Sequence, residues 1–244
     1  MTEAPALNAH SPLFRPAKER FHSQRGWLDS WHSFSFAGHH HPDWMGFGPL
    51  RVINDDVIAA GKGFGMHPHR DMEIITYVRR GAITHKDSRG NKGRTTAGNV
   101  QVMSAGTGIM HSEYNHEDEE TNIFQIWIMP TQRGHAPRWD TRRFPKMDRA
   151  GTLVALASGR EAAVEALHIH ADATLYGATL PAGQSMSVPL GTGRQAYLVP
   201  ASGRLSVDGT TVETRSGAAV RHADTVSLAA LEDCELLFVD LPAD

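Results

Sequence analysis

With 244 residues, 40% of them hydrophobic and 21% charged, the chain has ordinary globular composition and enough length for one large or two modest cores. A formal net charge of -3 gives no electrostatic reason to bind nucleic acid or an anionic membrane, and a short basic run such as Arg142-Arg143 reads as solvated surface. The single cysteine, Cys234, excludes an intrachain disulfide or thiolate pair. With no apolar leader and no run of about 18 apolar residues, the expectation is a soluble, cytoplasmic, monomeric protein.

Short runs rich in Val, Ile, Thr and aromatic residues, punctuated by 23 glycines and 13 prolines, predict an all-β chain. The turn-like cluster His39-His40-His41, beside Pro42 and Asp43, reads as a polar loop. Strands are predicted at RVIND, at EIITYVRR within a strand-like stretch from Gly65 to Gly81 that is headed by His67 and His69, and at AITHKD, NVQVMS and NIFQIWIM. In the last, Phe124, Ile126 and Ile128 share one face while Gln125, Trp127 and Met129 share the other, which predicts deep burial. From Met129 to Ala150 the alternation stops in a segment rich in Pro, Arg and Gly, and a domain boundary is expected near its end. Strands resume with TLVALAS, VEALHIHADATLYGATL, QAYLVP, GRLSVDGTTVE and CELLFVDL; Asp208-Gly209 is a two-residue hairpin signal. Both halves read as antiparallel barrels or sandwiches.

A weak internal repeat supports this division. Gly61 precedes Gly81 by the same interval as Gly183 precedes Gly203, and each second glycine follows a Tyr-containing strand. Where the first half has His67 and His69, the second has Pro189 and Gly191.

Residues i and i+2 of a strand point to one side, so His67 and His69 can share an ion. His111 and Glu113 repeat that spacing, and two adjacent strands would bring three imidazoles and a carboxylate around one point. Such nitrogen and oxygen donors suit divalent Fe, Mn, Co, Ni, Cu or Zn. One carboxylate leaves a divalent site at a formal +1, and four protein ligands on a six-coordinate ion leave two open positions. A structural zinc site would instead saturate its ion and favour cysteine. Glu73, four residues beyond His69, could also face the ion, and periodicity does not choose between it and Glu113. His168 and His170 share the i, i+2 spacing without a second doublet and read as structural, as do His116 and His135. Because ligating imidazoles must be neutral, metal binding is expected to weaken as pH falls toward about 6.5.

The segments HPHRDMEIITYVRRG and GTGIMHSEYN, with WHSFSFA and GFGPLRVINDDVIAAGKGFGMHPHR, resemble the pirin family of bicupins, which includes bacterial quercetin 2,3-dioxygenases. The likeness is specific from about Arg25 to Trp139; the rear half resembles the family's degenerate second cupin by position and length. It implies two tandem cupin (jelly-roll) barrels: a metal-binding domain over residues 1–147 and a second domain without ligands over residues 148–244. It also implies His67, His69, His111 and Glu113 as the ligands of one divalent ion, foremost Fe(II), with Glu73 left as a pocket or supporting residue. Asp71-Met72, where many relatives have Gly followed by an aromatic residue, points to altered substrate choice. The implied reaction is addition of dioxygen to a flavonol such as quercetin, with Glu113 as proton acceptor and release of carbon monoxide. Some pirins instead look like metal-dependent regulators, whose iron oxidation state governs docking on a protein partner.

Overall fold

The computed structural model describes residues 12–243; the expectation of a start without an apolar leader falls on residues 1–11, outside that range. The alternating and continuous apolar runs pair into two seven-stranded and two four-stranded sheets. No α-helix occurs among the described residues, in agreement with an all-β chain.

In the first barrel the larger sheet runs, from edge to edge, Arg138–Arg142, Val100–Ser104, Glu73–Arg80, Thr121–Ile128, Leu50–Ile58, Leu28–His32 and Phe21–Arg25. The smaller sheet runs Gly63–His69, Ile109–Tyr114, Ala82–Asp87 and Lys92–Thr96. The second barrel repeats this plan. Its larger sheet contains, in order, Gly217–Val220, Arg194–Ser202, Cys234–Pro242, Thr174–Leu180 and Val154–Ser158. Its smaller sheet is Ser185–Pro189, Thr225–Ala230, Leu205–Val207 and Thr210–Val212. The repeated glycines occupy matching corners, and Gly61, Gly81, Gly183 and Gly203 all have positive φ, from 69° to 84°. At Gly81 the choice is doubly fixed, since a Cβ would also lie 2.5 Å from Thr121 Oγ1. The Asp208-Gly209 turn forms as expected: both residues have φ above zero and Val207 pairs with Thr210.

The two larger sheets pack face to face. Phe124, Ile126 and Ile128, fully buried, meet the same core as Tyr77, Val100, Tyr197, Val199, Leu237 and Val239. Each such side chain contributes about 1.5–3 kcal/mol through removal of apolar surface from water. Charged ties reinforce the contact. Asp55, fully buried, accepts from Arg20 (3.2 Å), from Arg79, and from Arg215 of the second half. Arg149, also fully buried, lies 3.3 Å from the Tyr77 hydroxyl and 3.6 Å from Glu235.

Two readings from sequence are corrected here, and one strand is added. The stretch from Gly65 to Gly81 is two strands in two sheets: Asp71, at φ 47°, turns the chain between Gly63–His69 and Glu73–Arg80. The segment after Met129 contains the strand Arg138–Arg142, which pairs with Val100–Ser104 despite lacking apolar alternation. The strand Leu13–Arg15 joins the second barrel, pairing with Gly217–Val220.

Candidate metal centre

The pairing of Gly63–His69 with Ile109–Tyr114 sets His111 opposite His67 and Ile109 opposite His69. A ligand nitrogen from each of His67, His69 and His111 then falls within 4.8 Å of the others. His67 Nδ1–H donates to the Gly65 carbonyl at 2.6 Å, which leaves Nε2 with its lone pair. His111 Nδ1 lies 3.5 Å from His85 Nδ1, and His85 Nε2–H donates to Asp87 at 3.0 Å. In that chain of donors His111 Nδ1 carries the proton and Nε2 is bare. The Nε2 atoms of His67 and His111 stand 3.1 Å apart. Two lone pairs facing each other repel unless a cation lies between them. Nitrogens about 2.1 Å from one ion and about 90° apart would be about 3.0 Å from each other.

His69 Nε2 is buried with no hydrogen-bond partner, an arrangement a metal ion would satisfy. Its ring stands edge-on to Trp127 at 4.8 Å. Burial, then the neighbouring imidazoles His111 and His67, push His69 down to about 4. His111 is pushed down to about 3, by burial first and then by His67 and His85. Both rings are therefore neutral at ordinary pH, the form that coordinates a metal.

Glu113 occupies the same cavity wall, but its carboxylate is not one of the grouped ligand atoms. The register shifts between His111 and Glu113, so the pair spans a bulge that re-aims the second side chain. Glu113 Oε1 accepts from Thr76 (3.0 Å) and Gln101 (2.7 Å), and Oε2 accepts from Gln125 (2.6 Å). Thr95 donates to Gln101 Oε1 at 3.1 Å and so orients the Gln101 amide. Of the four acceptor positions of the carboxylate, one remains, on Oε2.

Glu73 is not in this wall. It lies in the other sheet, accepts from Ser104 at 2.7 Å and faces the inter-barrel junction. There burial raises it, against hydrogen bonds from Ser104 and the His170 backbone. The turn at Asp71 removes the shared strand phase on which its candidacy rested. His135 and His170 stack at 3.9 Å in the same junction, with His168 edge-on to His170 at 4.8 Å. Of the His39–His41 cluster, His39 bonds Ser23 and His41 Nδ1 accepts from the Asp43 N–H at a short 3-10 turn.

A cavity of about 250 Å³ opens beside the three imidazoles. Leu28, Phe36, Phe64, Ile74 and Trp127 form apolar walls; Ser30, His32, Asn54, Asp56 and Gln125 bring polar groups. His32 bonds Asn54 (2.8 Å) and Ser23 (3.0 Å), and Ser30 donates to Asp56. Burial raises the Asp56 carboxyl to about 7; the Ser30 bond opposes this, while Asp55 and Glu113 add to it. Sequence reading passed over Asp56, His85 and Asp87. Asp56 sits in a run whose acidic residues resemble surface, whereas His85 and Asp87 carry the same i, i+2 signal that singled out His67 and His69.

A family model for Pirin matches residues 14–128, and one for the quercetinase C-terminal cupin domain matches residues 155–241. The chain is 54% identical to a pirin-like protein of Caulobacter vibrioides, across 89% of this chain and 94% of that one. It is 44% identical to quercetin 2,3-dioxygenase of Escherichia coli K12, across 93% and 97%. The crystal structure of the E. coli bacterial pirin YhhW in complex with nickel(II) superposes with a TM-score of 0.91 at 43% identity, covering 96% of this chain and all of that one. Two like barrels joined through their larger sheets, with imidazoles gathered in the first, define a bicupin. Within that class the chain belongs to the pirin family.

Proposed function

We propose that the protein is a metal-dependent dioxygenase that opens the heterocyclic ring of flavonols such as quercetin, with one divalent ion, foremost Fe(II), held by His67, His69, His111 and Glu113. The observation that carries the reading is the facing pair of Nε2 atoms beside an apolar cavity of about 250 Å³. When bound, the ion would supply Lewis-acid stabilisation of a substrate oxyanion and a place for dioxygen chemistry.

The chain's own residues account for the rest. Phe64, Ile74 and Trp127 give a flat aromatic ligand apolar surface, and they keep water from the reacting carbon. Asp56, raised by burial to about 7, can donate in its protonated form to a ligand oxygen on the polar wall. The remaining acceptor position on Glu113 Oε2 serves either to complete the ligand set or to take the proton of the flavonol hydroxyl. Thr76, Gln101 and Gln125 keep that carboxylate from swinging away. In the overall reaction both atoms of dioxygen enter the product ester, and one ring carbon leaves as carbon monoxide with its own oxygen.

The test is reconstitution of metal-stripped protein with Fe(II), followed by quercetin and air, recording flavonol absorbance and carbon monoxide together. Equal loss of flavonol and gain of carbon monoxide, both abolished by His67→Ala, are expected. Decolouration without carbon monoxide would refute ring opening. Negligible turnover with redox-dependent capture of one protein would favour the regulatory role.

A further inference from the structure

Two buried residues outside the ligand set form a continuous line to it. His85 and Asp87 lie one residue apart on Ala82–Asp87, the strand next to Ile109–Tyr114, with Asp87 opposite His111 and His85 opposite Glu113. Both side chains are 0% exposed. Asp87 is held by four donors: His85 Nε2 (3.0 Å), the Arg89 N–H (2.8 Å), the Asn91 N–H (3.0 Å) and Asn91 Nδ2 (2.9 Å). With Nε2–H committed to Asp87, His85 presents a bare Nδ1 to His111 Nδ1–H at 3.5 Å.

The ring of His85 is clamped as well. The Trp139 indole stacks on it at 4.9 Å and 9°. Room for that indole comes from Gly93, paired with His85 across the neighbouring strand, where a Cβ would collide with the Trp139 ring. The clamp, the carboxylate and the turn around it thus converge on one imidazole whose side-chain link to the three grouped imidazoles runs through His111.

We propose that His85 and Asp87 are a positioning pair that fixes the tautomer and ring plane of His111, so that His111 presents Nε2 to a bound ion. The pair sets metal affinity without ligating. This rests on the reading of His67, His69 and His111 as a metal site. An imidazole whose far nitrogen is held by a buried partner is both oriented and made a better donor, and loss of such a partner typically weakens metal binding about 10–100-fold.

Cobalt(II) alone is the probe, titrated into metal-stripped protein against a chromophoric chelator, with its visible d–d spectrum recorded. His85→Phe keeps the stack on Trp139 and removes the acceptor. Asp87→Asn keeps the shape and lets the side-chain amide donate to His85 Nε2, which reverses the tautomer of that ring. Both variants are expected to bind cobalt(II) about 10–100-fold more weakly than the wild type. Their d–d bands should shift, while the metal-stripped forms melt within a few degrees of the wild type. Asp87→Glu should recover part of the affinity, and Lys86→Ala, on the opposite face of the strand, should lose none. Should the Phe variant fail to fold, the Asn and Glu variants decide the matter. Binding and spectra within twofold of the wild type in Asp87→Asn would overturn the pair's role. Absence of cobalt(II) binding by the wild type would overturn the metal reading itself, a separate result from the first.

Discussion

Replacement of Asp56 by Asn tests the state of the cavity's polar wall directly. The carboxyl is 2% exposed, takes a hydrogen bond from Ser30, and is lifted from 3.8 to about 7 chiefly by burial. In the unfolded chain it titrates at its ordinary value, so between about pH 4 and 7 the native state holds a proton that the unfolded state has lost. Stability therefore falls as pH rises through this window, at about 1.4 kcal/mol per pH unit, and then levels off. A shift of about 3 units gives a total near 4 kcal/mol at pH 7 and above, as an order of magnitude. Asn has the shape of the protonated acid, still accepts from Ser30, and has no proton to lose.

The assay is thermal unfolding of metal-stripped wild type and Asp56→Asn across pH 4 to 8. Little difference is expected at pH 4. The variant should gain through pH 5 and 6 and stand about 8–16 °C above the wild type at pH 8, if each kcal/mol moves the midpoint of a chain this size by about 2–4 °C. Imperfect pairing of the new amide would lower that figure at every pH alike without changing its slope. A gap that does not vary with pH, or one that shrinks as pH rises, would refute the assignment of a neutral carboxylic acid to this wall.

Asp55→Asn should behave in the opposite sense, leaving Arg20, Arg79 and Arg215 around a neutral group at the junction of the barrels. A loss of about 3–5 kcal/mol is expected from stranding buried charge, read as a fall in the urea midpoint, and an unchanged midpoint would count against the cluster. Acid release of metal should come late. His69 and His111, pushed down to about 4 and about 3, need no proton removed before they can ligate, so competition from these two begins only well below 6.5. Elemental analysis after dialysis at pH 5 and pH 7 should give nearly equal metal; half-loss near pH 6.5 would restore the simple expectation drawn from unperturbed histidine.

Much of this architecture is legible in the residues because local pattern and global packing agree. The strands Glu73–Arg80 and Ala82–Asp87 begin and end where the apolar runs do, and the Asp208-Gly209 turn has the positive φ pair its composition demands. What composition could not convey was a change of sheet without a break in strand character. The turn at Asp71 uses a non-glycine residue at φ 47°, so the chain from Gly65 to Gly81 looks continuous, and Glu73 looks like a neighbour of His69. The i, i+2 rule likewise placed His111 and Glu113 on one side but could not register the bulge between them. Leu13–Arg15 was beyond any local rule, because its partner Gly217–Val220 lies at the far end of the sequence.

The two barrels share one plan, and they differ in what fills them. In the second, inward positions on matching strands are Ala196, Leu198, Leu205, Val207, Val226, Leu228, Leu236 and Phe238, which close into one buried apolar cluster. In the first, the corresponding strands turn Thr76, His85, Asp87, Gln101, His111, Glu113 and Gln125 inward, and the apolar contacts shrink to small clusters at the ends. A polar interior costs stability unless every group is paired, which is why Thr95, Gln101, Thr76 and Gln125 form one connected set around Glu113. Yet His69 Nε2 has no partner, and the bare nitrogens of His67 and His111 face each other. Gln125 Oε1 and the Trp127 and Trp139 indole nitrogens are also buried without partners, but only the three imidazole nitrogens converge on one point, where a single cation would partner them all. The aliphatic second barrel docks on this polar one through a shared apolar core.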